Sequence, residues 1–330
     1  MTRAYISGTG FYVPERVVTN AELATLMNTS DEWITTRTGI KTRHYAAPGQ
    51  GTLDLAVPAV EQALETASLT VGDIDFIIFA TSSPDHYAPG SGCFLQDRMG
   101  FGEIGALDIR VQCSGFVYGV SIADQYIRTG SFRNVLVVGA ELQSNNLNMT
   151  DEGRDVSVIF GDGAGAVVLS ATEEDRGVLS THLHSEGKHA KHLWLEAASS
   201  YTQPRFNKED IDAGRHWLQM DGREVFRHAV VRFPEVIREA LEANDIALDQ
   251  VQLVIPHQAN LRISTEVARR LGVPADLIYS NIQRYGNTTA ASIPIALAEA
   301  LREDKIKSGD YIVLAAFGSG FTWAAALIKW

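Results

Sequence analysis

Residues 59–81 and 236–258 superpose without a gap, and what repeats is a pattern more than a string of identities. Ala63-Leu64-Glu65 falls on Ala240-Leu241-Glu242, Leu69 on Ile246 and Val71 on Leu248. Ile74-Asp75-Phe76-Ile77-Ile78 falls on Val251-Gln252-Leu253-Val254-Ile255. Both copies read as an amphipathic helix, a short loop and an apolar strand. The likeness continues downstream. After Cys113 a helix rich in Ala, Val and Gly runs to about Arg128 and leads into the strand Val135-Leu136-Val137-Val138-Gly139. After Asn287 a similar helix runs through Ile293 to Leu301 and leads into Tyr311-Ile312-Val313-Leu314-Ala315. Helices alternating with buried apolar strands favour a parallel or mixed sheet with helical cover. The chain is therefore expected to be a duplicated α/β protein, with one half over residues 1–170 and the other over 171–330. Glu173 to Gly177 reads as a turn between them, and the polar stretch 196–214, with Pro204 inside it, as a surface loop.

With 330 residues, of which 45% are hydrophobic, the chain has ample material for a large core. A formal charge of -12 argues against general nucleic-acid binding. The two cysteines, Cys93 and Cys113, cannot build a disulfide framework and fit a reducing compartment. Met1 to Ile6 lacks the apolar run of a secretory signal, and no stretch reaches the ~18 apolar residues of a membrane span. The expectation is a soluble, cytoplasmic protein with neither a membrane nor a nucleic-acid partner.

Three residues carry chemistry. Cys113, in Val111-Gln112-Cys113-Ser114-Gly115-Phe116, stands where a small-residue helix begins. A thiol there faces the positive end of the helix dipole and several free N–H groups, which favour the thiolate. The competing reading is a small buried hydrophobe, and Cys93 keeps that reading. His257 follows the strand Leu253-Val254-Ile255 and Pro256. Open α/β sheets place ligands at such strand ends, although a lone histidine there is commonly structural. Asn287 follows Gly286 and is either an ordinary helix cap or a neutral donor to a carbonyl. A thiol nucleophile, an imidazole and a carboxamide together suit carbon–carbon bond formation on thioesters.

Other motifs exclude alternatives. Gly161, Gly163 and Ala166 fit the relaxed spacing of a dinucleotide fingerprint, but Ala166-Val167-Val168-Leu169 reads as a strand where that fingerprint opens a helix. This speaks against a nicotinamide-dependent oxidoreductase and for a close backbone crossing. His182, His184, His189 and His192 form a loose cluster with no zinc-like spacing, so no metal is expected. Phe317-Gly318-Ser319-Gly320-Phe321 reads as a tight hairpin able to present a backbone N–H.

Taken together, these segments resemble the β-ketoacyl-acyl carrier protein synthase III family of condensing enzymes. The resemblance runs from Thr29-Ser30-Asp31-Glu32-Trp33-Ile34 and Arg37-Thr38-Gly39-Ile40, through Phe160 to Gly165 and Pro256-His257-Gln258-Ala259-Asn260, to Gly286-Asn287-Thr288 and Phe321-Thr322-Trp323. It implies the thiolase fold, a layered α-β-α-β-α sandwich. It implies an acyl-coenzyme A primer loaded on Cys113, malonyl-acyl carrier protein as extender, no cofactor, and a homodimer. By resemblance, Cys113, His257 and Asn287 are catalytic, and the N–H groups of Cys113 and Ser319 form the oxyanion hole. Trp33, Arg37, Arg154 and Asn260 match positions that bind coenzyme A. Arg223, Arg227, Arg262, Arg269 and Arg270 match or adjoin the basic positions that dock the acidic carrier protein. Three departures stand out. Gly153 precedes Arg154 where aspartate is common, and Ser319 replaces a common glycine. Ala88 stands where acetyl-preferring members carry a bulky aromatic at the acyl pocket, which implies a primer longer than acetyl. Alternatives within the fold are a secondary-metabolism condensing enzyme or acyltransferase, and a non-catalytic partner subunit.

Overall fold

The computed structural model describes residues 2–330. Among the described residues, nine strands form two main sheets. In the first, β1 (Arg3–Tyr12), β2 (Phe76–Ala80), β3 (Gly105–Ile109), β4 (Asn134–Glu141) and β5 (Gly163–Thr172) lie in the order β1-β5-β4-β2-β3. In the second, β6 (Gly177–Ser185), β7 (Val251–Pro256), β8 (Tyr311–Gly318) and β9 (Thr322–Lys329) lie in the order β7-β8-β9-β6. The repeated strands are equivalent. β2 runs parallel to β4 as β7 runs parallel to β8, and each pair is followed by an antiparallel neighbour, β5 or β9. The first sheet draws its strands from 3–172 and the second from 177–329, with the turn 173–176 between β5 and β6.

Seven helices of eight residues or more accompany the sheets: α1 (Asp31–Thr38), α2 (Thr52–Ala67), α3 (Ser91–Met99), α4 (Gly115–Arg128), α5 (Gly222–Glu242), α6 (Leu261–Leu271) and α7 (Ser292–Arg302). The core shows the layers. Phe116 and Val120 of α4 and Ile293 and Leu297 of α7 share one buried cluster with Val135 and Val137 of the first sheet and Ile312 and Leu314 of the second. α4 and α7 are thus the central layer, apolar over most of their surface. Leu55, Ala59 and Val60 of α2 cover the outer face of the first sheet. Phe233 and Ile237 of α5, with Val267 of α6, cover the outer face of the second. The result is the five-layered α-β-α-β-α sandwich of the thiolase fold. Each Leu, Ile or Phe buried in this way contributes ~1.5–3 kcal/mol relative to exposure.

Two glycines of β1 set the spacing of the outer layer. A Cβ on Gly8 would land on the Ala63 carbonyl, and one on Gly10 on the Ala59 carbonyl and 2.6 Å from Gln62 Cβ. Backbone therefore packs on backbone where β1 meets α2. The stretch 196–214 is mainly irregular and carries only a short helix, Lys208–Asp212. Cys93 departs from the sequence reading: it lies on α3 and is exposed. The apolar face of α3 is turned by Leu95 instead, which is fully buried. The substitution Gly10→Ala forces backbone apart at the β1–α2 contact. It is expected to lower stability by about 1–3 kcal/mol, read as a fall in the thermal unfolding midpoint.

Candidate active site

Cys113 lies in a single tight turn, Gln112–Ser114, that follows the end of β3 and runs directly into α4. The turn packs against the C-terminal end of β8 and against a second turn, Thr289–Ala291, that precedes α7. Small residues make both contacts possible. A Cβ on Gly318 would stand 2.5 Å from Cys113 Cβ and 2.8 Å from its Sγ. A Cβ on Gly139 would land on the Ala290 carbonyl, and one on Gly115 would stand 3.6 Å from Ala290 Cβ. The C-terminal ends of β3, β4 and β8 therefore meet around one sulfur.

His257 follows β7, and its N–H donates to Ala315 of β8 at 2.7 Å. The side chain is buried, and its Nδ1 lies 2.6 Å from Ser292 Oγ, the first residue of α7. Nε2 is buried without a partner among the described residues. Burial pushes the imidazole pKa down to about 3, so the ring is neutral at neutral pH. Asn287 is held by its backbone: its N–H donates to Ile159 at 2.9 Å, and its carbonyl accepts from Gly161 at 3.0 Å. Its Oδ1 accepts from Thr289 N–H at 2.8 Å, which leaves the Nδ2 donor to point elsewhere. Asn287 thus caps the turn at 289–291 and does not cap α7. The Gly161 segment also finds its place here. β5 follows it directly, and a Cβ on Gly161 would land on the Tyr285 carbonyl. The glycines are a close crossing that cradles Asn287, and no helix follows them.

The resting sulfur differs from the sequence reading. Cys113 is only 4% exposed, and burial, with the nearby Glu141 carboxyl, pushes its pKa up to about 12. The N–H groups of Ser319 and of Cys113 itself pull the other way and do not prevail. Burial outweighs the helix-terminus effect, and the unliganded residue is a thiol. Glu141 was not anticipated from the sequence, although a carboxylate ending the apolar run of β4 is visible there. It is fully buried and accepts from Ser82 N–H, Ser82 Oγ, Ser83 Oγ and Gln143 Nε2, while burial raises its pKa to about 7. Ser292, the partner of His257, had no signal at all in the sequence.

The residues expected to bind coenzyme A are gathered around α1. Trp33, on α1, is packed by two guanidinium groups, Arg37 at 4.4 Å and Arg154 at 4.7 Å from its ring. Gly153 packs tightly on Asn148, and Arg154 still reaches the indole. Asn260 caps α6 and donates from Nδ2 to the Arg37 carbonyl at 3.1 Å. Ala88 lies on an exposed loop, and the neighbouring Tyr87 ring is taken up by Arg205 at 3.5 Å.

The five basic residues are all exposed but unequal. Arg223 and Arg227 lie on the first turns of α5, and Arg262 lies at the start of α6, 5.8 Å from the Phe226 ring. Arg227 pairs with Glu224. Arg269 and Arg270 both pair with Glu266 at 2.7 Å, so part of their charge is offset. The histidine cluster divides. His182 and His184 share Glu239, at 3.2 and 2.6 Å. Glu186, His189 and His228 place ligand atoms within 4.8 Å of one another. Lys188 and Arg232 already occupy the two oxygens of Glu186, and Arg227 lies 3.3 Å from His228. These cations oppose a divalent ion there.

A buried cysteine at the head of one central helix, packed against the turn that Asn287 and His257 hold at the head of the other, in a five-layered sandwich, is the arrangement of a thiolase-fold enzyme. Residues 107–187 match the family described as 3-Oxoacyl-[acyl-carrier-protein (ACP)] synthase III, and residues 241–330 match its C-terminal part. The chain is 46% identical to beta-ketoacyl-[acyl-carrier-protein] synthase III of Paramagnetospirillum magneticum, over 100% of this chain and 99% of that one. The crystal structure of 3-oxoacyl-[acyl-carrier-protein] synthase III from Aquifex aeolicus superposes with a TM-score of 0.91 at 42% identity, covering 99% of this chain and 100% of that one. A priming β-ketosynthase of the R1128 polyketide pathway superposes with a TM-score of 0.91 at 33% identity, covering 98% and 96%. The chain belongs to the 3-oxoacyl-[acyl-carrier-protein] synthase III family.

A thiol raised to about 12 ionises tenfold more for each unit of pH across the accessible range. The rate of Cys113 alkylation by iodoacetamide, followed by peptide mass spectrometry to separate it from Cys93, is expected to climb about tenfold per pH unit from 6 to 9 without a plateau. Saturation near pH 7 would contradict it.

Proposed function

We propose that the protein is an acyltransferase that starts fatty acid synthesis by condensing an acyl-coenzyme A primer with malonyl-acyl carrier protein, without a cofactor. The single observation that carries this reading is that two neutral side chains, His257 and Asn287, are held at the two ends of the 289–291 turn, which packs on the turn of the buried Cys113 thiol. The Cys113 sulfur attacks the primer carbonyl, coenzyme A leaves, and the thiol proton ends on the coenzyme A sulfur. The N–H groups of Cys113 and Ser319 meet the charge on the carbonyl oxygen. Malonyl thioester then loses carbon dioxide, and the electrons of the broken carbon–carbon bond become an enolate. That carbanion attacks the acyl carbon, the bond to Cys113 breaks, and the sulfur takes a proton from solvent.

Neutral donors suit this step. Ser292 Oγ accepts from Gln258 N–H at 3.4 Å, so its own proton is free to go to His257 Nδ1. That tautomer carries its proton on Nε2, ready for the thioester oxygen. A cationic imidazole would instead pair with thiolate and with the malonyl carboxylate. An oxyanion donor of this kind is worth ~3 kcal/mol.

Trp33 with its two arginines suits the adenine and phosphates of coenzyme A, through stacking and charge. Arg223, Arg227 and Arg262 form the basic end of the α5–α6 face and suit an acidic carrier protein. The exposed Ala88 loop is consistent with a homodimer in which it meets the other copy's acyl pocket. The formal charge of -12 and the absence of a helix able to cross a membrane among the described residues are consistent with a cytoplasmic site of action.

The test is carbon dioxide release and 3-oxo product from malonyl-acyl carrier protein. His257→Ala and Asn287→Ala are each expected to slow condensation by ~100-fold or more while Cys113 still becomes acylated. Loss of acylation in both, with folding intact, would refute these roles. Because Ala88 is small and Tyr87 is held by Arg205, we expect butyryl or longer primers to load Cys113 faster than acetyl in a mass-spectrometric panel of acyl-coenzyme A thioesters. A strong acetyl preference would refute the pocket assignment.

A further inference from the structure

The tight turn joining β8 and β9 presents the N–H of Ser319 to the Cys113 sulfur. Ser319 places a hydroxyl at this turn, and that hydroxyl is engaged. Ser319 Oγ donates to the Leu193 carbonyl at 2.5 Å. Leu193 begins a two-residue ribbon, Leu193–Trp194, paired with Gln219–Met220. The ribbon leads into Asp221, whose N–H donates to the His192 carbonyl at 2.8 Å and whose side chain caps α5. The side chain of Ser319 therefore ties the turn to the start of α5.

A second tie holds the turn from the opposite side. The Ser319 carbonyl accepts from Thr322 Oγ1 at 3.0 Å, and the same hydroxyl lies 3.1 Å from Ser114 Oγ. Ser114 is fully buried beside Cys113, and its own hydroxyl donates to the Thr322 carbonyl at 3.3 Å. Two hydroxyl protons satisfy the set: Ser114 donates to Thr322, and Thr322 shares its proton between Ser319 and Ser114. The turn that carries the oxyanion donor is thus clamped to the turn that carries the nucleophile. The donors on the enolate side are anchored separately, His257 through Ser292 and Asn287 through Thr289.

We infer that Ser319 and Thr322 are positioning residues whose hydroxyls hold the oxyanion N–H in register with Cys113 for acyl transfer, with no part in decarboxylation of the extender. The inference rests on the condensing reading above. Displacing a preorganised donor without removing it costs less than deleting it.

The experiment uses the full chain and the variants Ser319→Ala and Thr322→Val. Single-turnover acylation of Cys113 by the best primer is followed by intact mass. Carbon dioxide release from malonyl-acyl carrier protein without primer is followed in parallel. Each variant is expected to slow acylation by about tenfold, with KM for the primer and the rate of carbon dioxide release both within about twofold of wild type. Thermal midpoints identify any variant that has lost its fold, and the remaining variant then decides. Acylation at the wild-type rate, or equal losses in the two half-reactions, overturns the inference. A wild-type chain that takes up no acyl group overturns the condensing reading itself, and the inference with it.

Discussion

The contact between the turns that open the two central helices governs the rest of the molecule. Gln112–Ser114 and Thr289–Ala291 lie against each other, and no bulky side chain separates them. Gly139 lets the Ala290 carbonyl approach β4, Gly115 and Ala290 meet across the seam, and Gly318 leaves room for the Cys113 side chain. Interiors are packed to crystal-like density, so a methyl added at Gly139 would displace the Ala290 backbone and one at Gly318 the Cys113 side chain. The turn that carries Cys113 packs directly on the turn held by Asn287 because this seam is built from Gly and Ala.

Burial is the second constraint, and it acts on charge. It keeps Cys113 a thiol, His257 a neutral ring and Glu141 near its midpoint at neutral pH. The thiol and the imidazole are both neutral at rest and have little to lose by self-pairing. New charge arises at them only when a thioester supplies an oxygen or a carbanion. The same low-polarity surroundings that raise the thiol pKa strengthen each donor in the transition state.

Much of the architecture was legible in the chain. The repeat at 59–81 and 236–258 became α2–β2 and α5–β7, and strict apolar runs became strands buried on both faces. The glycine segment before β5 was correctly read as a crossing, since Val167-Val168-Leu169 is strand-forming. Local signals failed where the deciding term was long-range. The dipole of α4 argued for a thiolate at Cys113, and the burial that outweighs it comes with packing against β8, β9 and the 289–291 turn. Cys93 read as buried by residue type, but the face of α3 on which it falls is set by packing against the first sheet.

Residue order alone determined the alternation of helix and strand, the duplication and the identity of the chemically able side chains, because periodicity and small-residue runs act over a few turns of chain. Only the tertiary structure decided the protonation of Cys113 and the pairing of His257 with Ser292, 35 residues away. It alone set the stacking of Arg37 and Arg154 on Trp33 and the clamp of Ser319 and Thr322. Each of these depends on distances between segments remote in sequence, and electrostatic and hydrogen-bond energies are fixed by those distances rather than by the order in which the residues are joined.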